Sequence, residues 1–194
     1  MIQSKFDYKR FLKNDAIALG QTRKRPRLFG DEIWKFERCL RKKEYFSTFS
    51  RMRKIVFLIP IIFNRFKFKR LSIKLGFSIP AGVFDEGLGI VHYGNIVVSN
   101  GAKIGKNCRI LEGVNIGATN GGSKAATIGD NVFIATGAKI LGEITIADNV
   151  AIGANAVVVK SIIEPGTTWG GVPARKISDN DSHSNHPYIF PKSK

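Results

Sequence analysis

Few side chains in this sequence could take a proton from a hydroxyl at neutral pH. The chain has three histidines, His92, His183 and His186, and imidazole is the side chain whose pKa lies nearest neutrality. His92 stands in the segment GIVHYGNIVV, where it could act as a general base towards an acceptor hydroxyl. His183 and His186 lie three apart in a polar tail without further ligands, so no metal site is expected. From the residues alone, a structural histidine is the favoured interpretation of His92, and a general base is the alternative.

The two cysteines, Cys39 and Cys108, offer less chemistry. They have neither the spacing of a metal site nor a disulfide framework, which favours a reducing compartment. Cys108 falls on an inward position of the repeat described below and is predicted to be a core residue rather than a nucleophile. The N-terminus lacks the apolar stretch of a secretory signal. We therefore expect a protein that faces the cytosol.

A six-residue period organises the second half of the chain. From Thr127 the sequence divides into TIGDNV, FIATGA, KILGEI, TIADNV, AIGANA and VVVKSI, each with an aliphatic second residue. The same spacing continues upstream. The aliphatic column comprises Val98, Ile104, Ile110, Ile116, Ile128, Ile134, Ile140, Ile146, Ile152 and Val158. This period predicts an all-β solenoid, a parallel β-helix whose coils have three short strands and stack to bury the shared column.

Two features of this register bear on function. His92 lies on this register, six residues before Val98.

One six-residue step of the period is doubled, because twelve residues separate Ile116 from Ile128. The segment between them contains the permissive cluster NGGS. Loops that leave a regular scaffold often carry function, so a loop is predicted here. A plain surface turn in an unbroken solenoid is the alternative.

The formal charge of +16 is concentrated in the first part of the chain. Residues 1–76 carry 21 basic and 6 acidic side chains, whereas residues 77–194 carry 10 and 9. We therefore predict a basic, mainly helical region (1–76), a β-helical domain (77–177) and a polar tail (178–194). Such a charge meets the electrostatic requirement for nucleic acid, but no recognised binding motif accompanies it, so no nucleic-acid partner is expected.

The basic region contains two apolar patterns. The segment DEIWKFERCLRKKEY places Ile33, Phe36, Cys39 and Leu40 on one face of a predicted helix. The later segment IVFLIPIIF is flanked by cations, and its nine residues, interrupted by Pro60, are too short to span a bilayer. Apolar and basic side chains together suit an interfacial segment on anionic lipid, so peripheral membrane association is predicted. Docking on the β-helix or on a neighbouring subunit is the alternative.

The stretch from Gly76 to Ile177, with its GAKILG and GVPAR segments, resembles the serine acetyltransferase branch of the hexapeptide acyltransferases. The resemblance implies a left-handed β-helix, acetyl-CoA as acetyl donor, no metal, and a homotrimer with active sites between subunits. His92 matches the family's catalytic base, which implies direct transfer without an acyl-enzyme. Asp85 and Glu112 are the candidates for orienting His92, with solvated turn charges as the alternative.

The resemblance also implies that coenzyme A lies in a groove between subunits. Small residues near coil corners are expected to admit it: Ala135, Gly137, Ala138, Gly153 and Ala154. Lys139, Lys160 and Arg175 are expected to meet its phosphates. The alternative for each small residue is that β-helix turns require Gly and Ala whether or not a ligand binds.

Two positions depart from the family's serine-specific pattern. An Asp that helps to orient the base and the acceptor corresponds to Phe77, and a second His, associated with the amino-acid acceptor, corresponds to Ala125. Because both positions are apolar, we predict a different acceptor, a hydroxyl of a cell-surface polysaccharide or its lipid-linked precursor. The enzyme would act at the inner face of the cytoplasmic membrane, a layout similar to that of capsule and O-antigen acetyltransferases. The alternatives are a divergent serine O-acetyltransferase of cysteine biosynthesis and, from a different class, a non-catalytic β-helix scaffold.

Overall fold

A computed structural model describes residues 1–185, so His186 and the rest of the predicted tail lie outside the described residues. Helices precede and follow a long run of short strands. The helices are α1 Lys5–Ala18, α2 Glu32–Ser47, α3 Arg51–Val56, α4 Leu58–Leu75 and α5 Ser182–Asn185. The strands are β1 Phe77–Ser78, β2 Gly89–Ile90, β3 Ile96–Val98, β4 Lys103–Ile104, β5 Arg109–Ile110, β6 Asn115–Gly117, β7 Thr127–Ile128, β8 Phe133–Ile134, β9 Lys139–Leu141, β10 Thr145–Ile146, β11 Ala151–Ile152, β12 Val157–Val158, β13 Thr168–Gly170 and β14 Arg175–Ser178.

The strands form three faces. Face one contains β1, β3, β6, β9 and β12; face two contains β4, β7 and β10; face three contains β2, β5, β8, β11, β13 and β14. Pairing is parallel on every face, except that β14 returns antiparallel to β13. Successive strands thus move from face to face and pair with the strand one coil away. This arrangement confirms the predicted stack of three-stranded coils. The left-handed sense of the β-helix remains a prediction.

The aliphatic column forms the core of these coils. Each of its ten members is at most 4 % exposed, and Ile110, Ile134 and Ile152 lie in register on face three. Cys108 is buried as predicted, and burial raises the pKa of its thiol to about 12. A thiol with so high a pKa is a poor nucleophile, so the core interpretation of Cys108 is supported.

The doubled step of the period is a nine-residue excursion, residues 118–126, between β6 and β7. The corresponding connections between faces one and two contain four residues after β3 and three after β9. The predicted loop is therefore present. Its last two residues, Ala125 and Ala126, return to the core.

The basic region is helical, and α2 buries Phe36, Cys39 and Leu40 as predicted. The apolar segment from Ile55 continues through α3 into α4. Pro60 does not interrupt a helix there, because it occupies the first turn of α4, where backbone N–H groups need no intrahelical acceptor. None of the helices within residues 1–185 has the length and hydrophobicity that a bilayer span requires.

A buried ion network joins the helical region to the first coil. Arg41 of α2 is fully buried, and its Nε donates to Asp15 Oδ2 of α1 at 2.7 Å. Its guanidinium also bonds Glu44 and the backbone carbonyls of Phe84 and Asp85. Burial by itself lowers the pKa of Arg41, but the charges of Asp15 and Glu44 outweigh burial and raise it. α2 is thereby fixed to the β-helix by charge-assisted hydrogen bonds.

Candidate functional site

His92 lies in a turn that leads from face three to face one. We name the stacked row of such turns the His92 corner: residues 91–95, 111–114, 135–138 and 153–156, one turn per coil. The segment 171–174 extends the row, because Val157 N–H donates to the Gly171 carbonyl and Ala174 N–H to the Val157 carbonyl. The corner is therefore a continuous ridge that begins with His92.

The imidazole of His92 is exposed, and so is the neighbouring Tyr93. Within residues 1–185, the imidazole has no hydrogen-bond or ion-pair partner. A structural histidine in a core would be buried and hydrogen-bonded. An exposed imidazole without a partner is instead free to reach a substrate, which argues against the structural alternative.

Glu112 occupies the next turn of the same corner. A Cβ on Gly94, two residues after His92, would lie 2.9 Å from Glu112 Cβ, so the two turns pack closely. Glu112 Oε1 accepts a hydrogen bond from Thr136 Oγ1 at 2.9 Å, whereas Oε2 is buried without a partner. Buried carboxylate oxygens are nearly always hydrogen-bonded. Within residues 1–185, Glu112 Oε2 is therefore available to accept a further hydrogen bond.

Asp85 lies at a different corner, between the Phe84 bridge on face two and β2 on face three. Its Oδ1 accepts from Glu86 N–H at 2.8 Å and lies 4.0 Å from the N-terminal ammonium of Met1. One chain does not bring Asp85 to His92, because consecutive corners are separated by a strand. Of the two predicted orienting residues, the structure places Glu112 alone at the His92 corner.

Four of the small residues predicted to contact coenzyme A lie in the next two turns of the corner: Ala135, Gly137, Gly153 and Ala154. Gly137 has a φ of 73°, and a Cβ there would lie 2.1 Å from Asn155 Oδ1. The fold itself requires this glycine, as the alternative held. Ala154 is exposed and leaves the outer surface of the corner open.

The prediction for Ala138 needs correction. Its side chain is fully buried in the core, its N–H donates to the Ala135 carbonyl, and its carbonyl accepts from Asn115 N–H. With both backbone groups engaged and no exposed surface, Ala138 cannot contact a ligand. It belongs to the inward positions of the repeat.

The predicted cationic contacts lie at two places. Lys139 Nζ donates to the Gly113 carbonyl, within the His92 corner. Lys160 and Arg175 line a cavity of about 390 Å³ with Trp169 and Pro173, at the far end of the corner row. The structure thus brings Lys160 and Arg175 together, and places Lys139 between them and His92 along the coils. The described residues contain no cluster of side chains that could hold a metal ion.

The two positions that depart from the serine-specific pattern are part of the core. Phe77 is 4 % exposed, and its ring meets the edge of Phe36 from α2 at 5.1 Å between centroids. Ala125 is 5 % exposed, at the end of the 118–126 loop. Both side chains therefore serve packing and offer no polar group to an acceptor.

Comparison with known proteins supplies the context for this site. Residues 125–160 match the family described as bacterial transferase hexapeptide (six repeats). A serine acetyltransferase of Mycobacterium tuberculosis is 36% identical over 111 residues, 56% of this chain and 48% of that protein. The chain therefore spans about half the length of the curated relatives it matches.

Two solved structures have the same fold over most of this chain. Serine acetyltransferase of Neisseria gonorrhoeae in complex with serine superposes with a TM-score of 0.70 and 27% identity, covering 90% of this chain and 71% of that one. Serine acetyltransferase of Brucella abortus in complex with coenzyme A superposes with a TM-score of 0.69 and 25% identity, covering 91% of this chain and 70% of that one.

These comparisons correct the predicted acceptor. The prediction of a polysaccharide hydroxyl is wrong, since the similar proteins are serine acetyltransferases and one of them holds serine. The resemblance to capsule and O-antigen enzymes is likewise not found. The apolar residues Phe77 and Ala125 remove two polar contacts, but such a loss does not identify another acceptor. The chain carries the hexapeptide repeat of the bacterial transferases, in a fold that it shares with serine acetyltransferases.

Proposed function

We propose that this protein is a serine O-acetyltransferase that uses acetyl-CoA as the acetyl donor. The observation that carries the proposal is the exposed imidazole of His92, which has no partner within residues 1–185 and lies in the first turn of the His92 corner. The fold is similar to that of enzymes solved with serine and with coenzyme A. The same observation favours catalysis over a non-catalytic scaffold. The β-helix is proposed to be left-handed, as the resemblance implies.

The proposed reaction is direct transfer. His92 takes the proton of the serine hydroxyl while the oxygen attacks the thioester carbonyl, and a tetrahedral oxyanion forms. Backbone N–H groups or a side-chain donor stabilise that charge. The intermediate then collapses to O-acetylserine, the C–S bond breaks, and the imidazolium returns its proton to the leaving thiolate. General base catalysis of this kind contributes about 10²- to 10⁴-fold to the rate.

Glu112 is proposed to orient His92 in the assembled site. Glu112 Oε1 accepts a hydrogen bond from Thr136 at 2.9 Å, and Oε2 has no partner within residues 1–185. A carboxylate held in this way can accept an imidazole N–H and so favour the tautomer with a free basic nitrogen. Asp85 has no part in this proposal, because it lies at a different corner.

Coenzyme A is proposed to lie along the His92 corner. Its pantetheine arm would pass the backbones of Ala135, Gly137, Gly153 and Ala154. Its phosphates would meet Lys139 and the cavity lined by Lys160 and Arg175. The row is continuous from His92 to residues 171–174, and this continuity supports one extended ligand over separate small sites.

The active assembly is proposed to be a homotrimer in which a neighbouring subunit covers the His92 corner. One feature of the described residues supports this: His92 and Ala154 are exposed, so the His92 corner has no opposite wall. A monomeric variant would then bind acetyl-CoA weakly and turn over slowly. Sedimentation equilibrium combined with activity at each concentration tests this, and a fully active monomer would contradict it.

The acceptor is tested by following thiol release from acetyl-CoA with and without serine. We expect serine-dependent release, with a KM for serine raised by the absence of polar groups at Phe77 and Ala125. Product analysis by mass spectrometry identifies O-acetylserine. If acetyl-CoA binds but serine does not promote thiol release, the acceptor assignment is wrong while the donor assignment stands.

A further inference from the structure

Helices α3 and α4 expose an apolar surface that nothing in the described residues covers. The exposed fractions are 60% for Ile55, 80% for Ile59, 57% for Ile62, 64% for Phe63 and 64% for Phe66. Isolated exposed apolar residues are ordinary, but a contiguous group of large ones marks a contact surface. We therefore expect this surface to bind a partner.

α4 has a buried side and an exposed apolar side. Its buried side consists of Asn64, Leu71 and Leu75. At about 100° per residue, the exposed residues cluster on the opposite side. We call this the outer face: Ile59, Ile62, Phe66 and Ile73. Because the buried side already packs on the rest of the chain, the outer face is not an exposed part of the core.

The charges around the outer face have one sign. Between Glu44 and Asp85 the sequence has eight basic residues and no acidic one. On the helix, Arg65 and Lys69 flank the outer face on one side, and Arg70 flanks it on the other. Among the described residues, Lys74 alone of these eight forms an ion pair, with Glu32. The apolar strip is thus bordered by cations that carry unbalanced charge.

The apolar strip and the cations beside it together favour one binding partner over another. A second copy packed through the same face would bring two regions of net charge +15 together, and like charges oppose such contact. A bilayer surface that contains anionic lipid accepts both the apolar strip and the flanking cations. We propose that the outer face of α4 docks the protein on an anionic membrane surface, with the helix lying in the plane of the interface.

Vesicle co-sedimentation tests this docking with the full-length chain. The probes are vesicles of phosphatidylcholine alone and vesicles that also contain phosphatidylglycerol, at physiological salt. We expect binding to the anionic vesicles, at least tenfold weaker binding to the neutral ones, and loss of binding at high salt. Failure to bind anionic vesicles would overturn the proposal.

Variants assign the binding to the outer face. Ile59→Ser/Ile62→Ser/Phe66→Ser should weaken vesicle binding at least tenfold and leave the circular dichroism spectrum unchanged, because all three side chains are exposed. The matched control, Ile163→Ser/Val172→Ser, alters exposed apolar residues of the β-helical domain and should bind as wild type does. Equal binding by the triple variant would overturn the proposal. A lower assembly mass of that variant in sedimentation velocity would also overturn it, because the face would then join copies of the chain.

Discussion

The β-helix and the helical region are held together in different ways. In the β-helix, one aliphatic column and similar turns recur in every coil, so each coil contributes a comparable share of stability. The helical region has no repeat and is attached to the first coil by apolar packing, such as that of Phe36 against Phe77, and by a buried ion network around Arg41. Stability in a repeat is distributed, whereas a buried ion network concentrates much of the attachment in one residue. The two regions should therefore respond differently to single substitutions.

The two tryptophans make this difference measurable. Trp34 lies in α2 and Trp169 in β13, so each region has its own fluorescent reporter. Single-tryptophan variants, Trp34→Phe and Trp169→Phe, allow each region to be followed separately during unfolding in urea.

The largest effect is expected from Arg41→Ala. Removing the guanidinium leaves the buried carboxylates of Asp15 and Glu44 without their countercharge, and it removes the donor to two backbone carbonyls. Breaking a buried ion pair in this way costs about 3–5 kcal/mol. We expect the Trp34 reporter to unfold at much lower urea than the Trp169 reporter. Arg38→Ala, a half-buried arginine of the same helix, is the control, and an equal loss in both regions would contradict concentrated stability.

A smaller and less local effect is expected from Ile134→Ala. Ile134 is fully buried between Ile110 and Ile152 of the adjacent coils. Truncation of a core isoleucine to alanine costs about 2–5 kcal/mol, and the Trp169 transition should shift while the helical region keeps its contacts. Ile163→Ala, at an 82% exposed position, should change the midpoint little. A shift of the Trp34 transition alone would contradict the assignment of this effect to the β-helix.

Asn131→Ala tests the turns of the repeat. Asn131 has a φ of 56°, and its side chain links Asn107 and Asn149 in a ladder, with bonds of 2.9 and 3.0 Å. Alanine in the left-handed region costs about 1–2 kcal/mol, in addition to the lost ladder bonds. Asn131→Gly removes the ladder without that strain, so it should lose less. Equal losses in the urea midpoints of the two variants would show that strain plays no part.

The smallest effect, of opposite sign, is expected from Glu37→Gln. Burial, and next the charge of Asp15, raise the pKa of Glu37 well above its usual value of 4.5. Stability from this group is therefore fully present below the unfolded pKa and is lost as the pH rises through the folded pKa. Glutamine can still accept from Ile90 N–H and carries no charge, so the variant should be more stable than wild type at pH 8 and similar at pH 4.5. Urea midpoints of wild type and Glu37→Gln at the two pH values test this prediction. A variant less stable than wild type at pH 8 would contradict it.

The sequence predicted the periodic part of the molecule well. The aliphatic column, the β-helix and the doubled step all follow from spacing, since a six-residue period repeats local geometry. The same register could have corrected two errors. It places Ala138 among the inward residues and Asp85 one turn before the corner that holds His92.

The contacts that depend on distant segments could not be predicted. Arg41 binds Asp15, 26 residues earlier, and the carbonyl of Phe84, 43 residues later. No local pattern distinguishes this arginine from the other cations of α2. The hydrogen bond that Glu112 Oε1 accepts from Thr136 likewise joins residues that are 24 apart in the sequence and lie in adjacent coils.

The assignment of His92 as the base of acetyl transfer to serine is tested by kcat/KM for serine-dependent thiol release by wild type and His92→Ala. We expect His92→Ala to lower this value by about 10²- to 10⁴-fold, with the affinity for acetyl-CoA and the urea midpoint unchanged. His183→Ala, the same substitution outside the His92 corner, should keep wild-type activity. Serine-dependent turnover that survives in His92→Ala at the wild-type rate would contradict the role of His92 as the base.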